Sequence, residues 1–267
     1  MSLHPFVNTA VTAARKAGTI IMQALDRPDK INISKKSDKD FVTNIDNAAE
    51  RAIIEILHIA YPTHGFLCEE SGQEGDNNYQ WIIDPIDGTT NFIHGFPHFC
   101  ISIALKHNDQ IEQAVIYDPL KEDLFTATRG QGALKNNHRM RVAECRHLNE
   151  SLIATGFPFR RNIDSDPYYK TLQNVALHCV DIRRAGSAAL DLAYVASGQL
   201  DGFFELALYP WDIAAGILLI KEAGGLVTDI DGSENYLKSG NIATANPKIM
   251  RELLPLLKPL AETLKLH

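Results

Sequence analysis

The run Asp84-Pro85-Ile86-Asp87-Gly88-Thr89-Thr90-Asn91-Phe92 sets two carboxylates three positions apart, directly ahead of small hydrogen-bonding residues. That pattern suits metal ions that hold a phosphate. Hard cations such as Mg2+ take oxygen ligands and are usually held by a few carboxylates together with phosphate oxygens of a substrate. Asp84 and Asp87 can share one ion or bridge two, and ions about 3.5–4 Å apart stabilise both the attacking and the leaving oxygen of an in-line displacement. Gly88 permits close backbone approach, and Thr89 to Asn91 can begin a helical turn whose free N–H groups face an anion.

One loop cannot complete such a site. Further acidic candidates are Glu69-Glu70 after the strand-like Gly65-Phe66-Leu67-Cys68, Asp46 near a helix start, and Asp212 in Pro210-Trp211-Asp212-Ile213-Ala214-Ala215-Gly216. Each also has a purely structural reading. Asp46 stands three residues after Thr43 and before the apolar series Ala49, Ala52, Ile53, Ile56, Leu57, so it can complete a capping box. Asp212 opens a helical pattern that runs to Gly224-Gly225, where a carboxylate favours the helix dipole. Glu69-Glu70 can be plain solvated charge. Spacing alone does not bring Asp212 beside Asp87.

Taken in order, these segments resemble the inositol monophosphatases, a family of lithium-sensitive, magnesium-dependent phosphatases. The first signature is the run that opens at Asp84, and the second is Trp211-Asp212-Ile213-Ala214-Ala215-Gly216. Gly186-Ser187-Ala188-Ala189 and Asp201-Gly202-Phe203-Phe204-Glu205 stand between them in the family's order. The run from Leu124 to Gly132, Ala154-Thr155-Gly156-Phe157-Pro158-Phe159 and Arg183-Arg184 are most similar to bacterial members of the SuhB type. Where many relatives carry Gly, this chain has Cys68, a small residue that should leave the carboxylates in place.

The resemblance implies roles residue by residue. Glu69, Asp84 and the carbonyl of Ile86 would hold a first magnesium ion, and Asp84, Asp87 and Asp212 a second. A third, weaker ion would sit near Glu69, giving two to three Mg2+ per active site. Thr89, backed by Asp46, would orient and deprotonate water, with Glu69 also counted among the catalytic groups. The N–H groups of Gly88 and Thr89 would hold phosphate oxygens. Asp87, Asp212, Arg183, Gly186, Ser187, Ala188 and Glu205 would meet the substrate, with a salt bridge or subunit contact as the other reading of Arg183. The implied reaction is hydrolysis of inositol 1-phosphate and similar monoesters. Related phosphatases act on fructose 1,6-bisphosphate, 3′-phosphoadenosine 5′-phosphate, NADP or histidinol phosphate, and the metal ligands do not separate these. SuhB-type relatives are also associated with RNA polymerase and antitermination, so a role through the surface stands as an alternative. The implied architecture is a layered αβαβα sandwich, usually a homodimer, with the metals between two lobes.

The elements that must position these residues are legible in outline. At 267 residues, with 45% apolar residues, the chain can bury a large core, and its formal charge of −7 argues against a broad basic nucleic-acid surface. It shows neither a signal-peptide pattern nor an apolar run of membrane-spanning length, so a cytoplasmic protein without a membrane partner is expected. Cys68, Cys100, Cys145 and Cys179 are scattered, without Cys-x-x-Cys, and read as free thiols. Phe6, Val7, Ala10, Val11, Ala14, Ala17, Ile21, Met22 and Leu25 predict an opening amphipathic helix, and a second runs from about Asn44 to Ala60. Trp81-Ile82-Ile83 reads as a buried strand that ends at Asp84, where Pro85 turns the chain out of the sheet.

Phe99 to Lys106, Ile111 to Tyr117 and Asp123 to Thr128 predict an antiparallel meander. After that the chain changes style. Apolar runs at Leu152-Ile153-Ala154, Val180-Asp181-Ile182 and Leu226-Val227 alternate with helical patterns at Ala188 to Ala196 and Ile213 to Ala223, the mark of an α/β lobe. The simplest division is an N-terminal lobe over about 1–150 and a C-terminal lobe over about 151–267. Asn246-Pro247 and the series Leu253, Leu256, Leu257, Leu260, Leu264 predict a closing helix that Pro255 and Pro259 shorten or kink. His94 and His98 read as packing or rim residues, and Arg139, Met140 and Arg141 as a solvated strand.

Overall fold

The structure is a computed structural model and describes residues 3–37, 40–75, 77–158 and 165–264. Phe159, the last residue of the run that begins at Ala154, lies outside the described residues. The chain opens with α1 (Pro5–Leu25), a hairpin of β1 (Ile33–Ser37) and β2 (Asp40–Thr43), and α2 (Asn44–Ala60). β3 (Gly65–Cys68), β4 (Gly72–Glu74), β5 (Tyr79–Asp87) and the single turn α3 (Thr89–Ile93) follow. Next come β6 (Cys100–His107), β7 (Gln110–Asp118), β8 (Asp123–Thr128), β9 (Gly132–Lys135) and β10 (His138–Arg139). The remainder is β11 (Leu152–Thr155), α4 (Ser165–Ala176), β12 (Asp181–Arg183), α5 (Ala188–Ala196) and β13 (Gly202–Glu205). It closes with α6 (Pro210–Glu222), β14 (Leu226–Thr228), α7 (Tyr236–Ser239), β15 (Ile242–Ala245) and α8 (Pro247–Leu264).

Two sheets organise the molecule. The larger has eight strands in the order β10-β9-β8-β7-β6-β5-β3-β4, antiparallel except where β3 runs parallel to β5. The smaller has five, in the order β12-β11-β13-β15-β14, with β11 parallel to both of its neighbours. Alternate residues of a strand face opposite ways, and that periodicity assigns each apolar side chain to a layer. Trp81, Ile83, Ile101, Ile103 and Val115 meet Val7, Ala14, Ile21, Ile53 and Leu57 of α1 and α2. Ile82, Ala104, Ala114, Ile116 and Phe125 face the other way, onto α5 and α6.

Those two helices are apolar nearly all round because they are covered on both sides. They also pack on Ala154, Phe203 and Ile242 of the smaller sheet. Ile153, Phe204, Ala243 and Ala245 turn outward to meet Tyr168 and Val175 of α4 and Ile249, Leu253 and Leu257 of α8. Helices, sheet, helices, sheet, helices therefore stack in five layers, the αβαβα sandwich. A fully buried Ile, Leu or Phe contributes about 1.5–3 kcal/mol, so the three cores far outweigh any single polar contact in holding the layers.

The structure departs from the sequence reading at several points. β5 does not leave the sheet at Asp84. It continues to Asp87 across an irregularity in which Asp84 pairs with Ser102 and Asp87 with Cys100. Four residues thus span three on the partner strand, a bulge that accommodates the missing N–H of Pro85 and bends the strand end. α8 is not cut short by Pro255 and Pro259, since both lie on its exposed face, where carbonyls deprived of a helical partner meet water. Met140 is buried in the core, while Arg139 and Arg141 are exposed. All four cysteines are free thiols.

Candidate active site

Five segments bring the chemistry together where the two sheets meet α2, α5 and α6. The bulge at the end of β5 presents Asp84 and Asp87 to one side, and its backbone is held by the side chain it carries: Ile86 N donates to Asp84 Oδ1 at 3.0 Å. Gly88 then adopts φ 98°, a conformation that favours glycine, and a Cβ there would stand 3.0 Å from the His98 carbonyl oxygen. Asn91 stitches this loop down by donating from Nδ2 to the carbonyls of His98 at 2.7 Å and Ala185 at 2.9 Å.

Asp212 arrives from the far half of the chain on the first turn of α6. One of its oxygens accepts from Tyr209 N at 2.7 Å, so it does cap the helix. It also joins Asp84 and Asp87: one carboxylate oxygen from each of the three lies within 4.8 Å of the others, and all three residues are buried. Burial first, then the charges of Glu69, Asp87 and Asp212, push the Asp84 carboxyl well above the usual carboxylate range. Three desolvated carboxylates in such proximity repel one another, and the donor set is the all-oxygen kind that a hard divalent cation takes. The residues fit magnesium.

Asp46 also performs both of its alternative tasks, one with each oxygen. Oδ2 accepts from Thr43 N at 2.8 Å and from Thr43 Oγ1 at 2.5 Å, closing the capping box of α2. Oδ1 accepts from Thr89 Oγ1 at 3.1 Å, and Thr89 Oγ1 also lies 3.0 Å from the Ile86 carbonyl oxygen. Burial, only partly offset by those hydrogen bonds, raises the Asp46 pKa.

Asp84, Ile86, Asp87, Thr89 and Asp212 line a cavity of about 600 Å3, together with Glu69, Gly88, Thr90, Asn91, Gly186, Ser187, Ala188 and Glu205, and Asp46 lies buried behind Thr89. Ser187 Oγ and the Ala189 N–H, at the start of α5, donate to Asp87 Oδ2 at 2.7 and 2.6 Å, which fixes that carboxylate from behind. Arg183 stands elsewhere. It is half-exposed, paired with Asp181 at 2.5 Å at the end of β12, and the cavity is lined by its neighbour Arg184 instead, just past the strand. His94 is exposed. His98 is buried with Nε2 3.7 Å from Asp191.

Some of the site was missed by sequence reasoning. Phe41, Phe157, Leu206 and Leu208 supply an apolar wall to the cavity, and Asp191 lines it from within α5. Glu50, on α2, is 2% exposed and accepts from two backbone N–H groups of the turn after Glu69. A signal for it existed. Asp46, Ala49, Glu50, Ile53 and Leu57 share one helical stripe, and a carboxylate on a buried stripe needs partners.

Comparison with known proteins shows the family and the fold. The model of the inositol monophosphatase family matches residues 2–262. The chain belongs to the inositol monophosphatase family. It is similar to the Nus factor SuhB of Escherichia coli strain K12, with 50% identity over 254 residues, 94% of this chain and 95% of that one. Its structure is similar to that of the extragenic suppressor protein SuhB from Bartonella henselae, with a TM-score of 0.92 and 43% identity, covering 96% of this chain and 99% of the other. An inositol monophosphatase from Anabaena (Nostoc) gives a TM-score of 0.85 at 38% identity, over 94% of each chain. This is a phosphatase family, and the present chain has its layered α/β fold. No helix among the described residues is long and apolar enough to cross a membrane.

Proposed function

We propose that the protein is a magnesium-dependent phosphomonoesterase that converts myo-inositol 1-phosphate to inositol and phosphate. The observation that carries this reading is the convergence of buried Asp84, Asp87 and Asp212 in one cavity with Thr89, whose hydroxyl is held from behind by Asp46. Magnesium, two to three ions per site, would be held by Glu69, Asp84, the Ile86 carbonyl, Asp87 and Asp212, and would supply positive charge to the phosphate and lower the pKa of water. Thr89 carries one hydroxyl proton, which it directs to Asp46 or to the Ile86 carbonyl. Its lone pairs are then free to accept from water, and Asp46, made more basic by burial, takes the proton in relay. The Gly88 and Thr89 N–H groups hold phosphate oxygens.

The rest of the cavity selects the alcohol. Glu205 accepts from polyol hydroxyls, and Gly186, Ser187 and Ala188 shape the wall opposite. No serine or cysteine nucleophile is needed, and none is assigned. Arg183, turned to Asp181, has no part in this reading. Lithium sensitivity and a homodimer belong to the same proposal.

The test is phosphate release from inositol 1-phosphate, fructose 1,6-bisphosphate, 3′-phosphoadenosine 5′-phosphate and glycerol 2-phosphate, with and without magnesium. Magnesium-dependent preference for inositol 1-phosphate supports the reading, preference for another ester moves the substrate, and silence with all four refutes it. A second role in transcription rests on the half-identical Nus factor relatives. Asp87→Asn separates the two: a cellular phenotype rescued by a catalytically dead variant belongs to the surface, and one that it fails to rescue belongs to the active site.

A further inference from the structure

The turn that carries Glu69 is tied to the helix behind it through the buried side chain of Glu50. Glu50 lies on α2, one helical turn after Asp46 and on the same face, and is 2% exposed. Its Oε2 accepts from Glu70 N at 2.9 Å and its Oε1 from Ser71 N at 2.9 Å. On the other side Glu69 N donates to the Ile83 carbonyl at 3.1 Å, one residue before Asp84. The backbone on both sides of Glu69 is thereby fixed, to β5 by one bond and to α2 by two.

From this geometry we infer that Glu50 is a positioning residue for the metal site, acting through the Glu69 turn. α2 then braces the site at two points one turn apart: Asp46 holds Thr89, and Glu50 holds Glu69. A carboxylate is the acceptor this task requires, because both oxygens receive a backbone N–H. Glutamine offers one oxygen and turns an NH2 group toward the other N–H, leaving a donor opposed to a donor in a desolvated place. Aspartate keeps the charge and falls short by one methylene. Groups that orient a metal ligand from behind typically govern affinity for the ion by about 10- to 100-fold.

The inference rests on the proposed assignment of Glu69 as a metal ligand, and its test separates the two. Equilibrium binding of Mn2+ is measured by calorimetry for the wild type, Glu50→Gln, Glu50→Asp and Glu69→Gln, with unfolding midpoints in EDTA recorded alongside. Positioning through hydrogen bonds predicts that Glu50→Gln and Glu50→Asp both weaken Mn2+ binding about 10-fold or more, and that turnover recovers largely at saturating metal. Unchanged Mn2+ affinity in both, whatever the midpoints do, would overturn it. So would full affinity in Glu50→Asp with loss in Glu50→Gln, since charge rather than geometry would then be the cause. If Glu69→Gln itself binds Mn2+ like the wild type, the fault lies with the ligand assignment on which the inference stands.

Discussion

Asp84→Asn should make the metal-free protein more stable while abolishing its response to magnesium. The buried carboxylate oxygens of Asp84, Asp87 and Asp212 approach within 4.8 Å, and two unit charges at that distance repel by about 3 kcal/mol at an effective dielectric constant of about 20. Neutralising Asp84 removes two of the three pairs. Because burial and its neighbours already hold the Asp84 carboxyl well above its usual range, protons relieve part of this repulsion, and the expected gain is about 1–3 kcal/mol rather than the full sum. Asparagine keeps an Oδ1 acceptor for the Ile86 N–H, so the bulge retains its hydrogen bond.

For a chain of this size that gain corresponds to a rise of about 3–10 °C in the unfolding midpoint. Scanning calorimetry in EDTA reads it directly. In the wild type, magnesium at about 100 times its Kd should add about 2.7 kcal/mol by mass action; in Asp84→Asn that increment should vanish together with activity. A variant less stable than the wild type in EDTA, and still stabilised by magnesium, would refute the view that these carboxylates form a metal site held at the expense of stability.

Thr89→Val removes the hydroxyl between Asp46 and the Ile86 carbonyl and should lower kcat by about 100-fold or more, with Mn2+ affinity nearly unchanged, a split that steady-state kinetics and calorimetry resolve. Gly156→Ala would set a Cβ 2.0 Å from the Glu205 carboxyl carbon, so that side chain must move; KM for inositol 1-phosphate should rise well above the change seen with p-nitrophenyl phosphate. His64 stacks between Tyr61 and Tyr79 at centroid distances of 5.0 and 4.8 Å, and burial lowers its pKa. Its contribution to stability is therefore complete above the unfolded pKa of about 6.5 and is lost as pH falls from there through the folded value. Denaturation midpoints between pH 7.5 and 5.5 should fall less in His64→Phe than in the wild type.

The helices and the site's vocabulary were legible because both are local. The capping box at Thr43 and Asp46 and the stripe through Ala49, Ile53 and Leu57 set α2 at Asn44–Ala60, the span that periodicity predicts. The meander of β6, β7 and β8 followed from alternation and tight connections. Short strands such as β15, and α4 with its weakly apolar sequence, carried too little pattern to stand out. The prolines misled for different reasons: at Pro85 a bulge takes up the missing N–H inside the buried sheet, whereas in α8 the carbonyls left without a partner face water, and sequence says neither where a ladder bulges nor which carbonyls are exposed.

By itself the sequence determined the chemical types: carboxylates, small residues and a hydroxyl in an order similar to one phosphatase family. The tertiary structure decided which of them meet. Asp212 reaches Asp84 and Asp87 only because α6 is sandwiched between the sheets, with its first turn at the end of β5, and the Trp211 carbonyl accepts there from Ser102 Oγ at 3.2 Å. Asp46 proved to be both a cap and Thr89's partner because a carboxylate has two oxygens and the fold presents a donor to each. Arg183 and Arg184 are adjacent in sequence and different in placement, Arg183 ending β12 beside Asp181 and Arg184 lining the cavity just past the strand, and only the packing says which of the two faces the cavity.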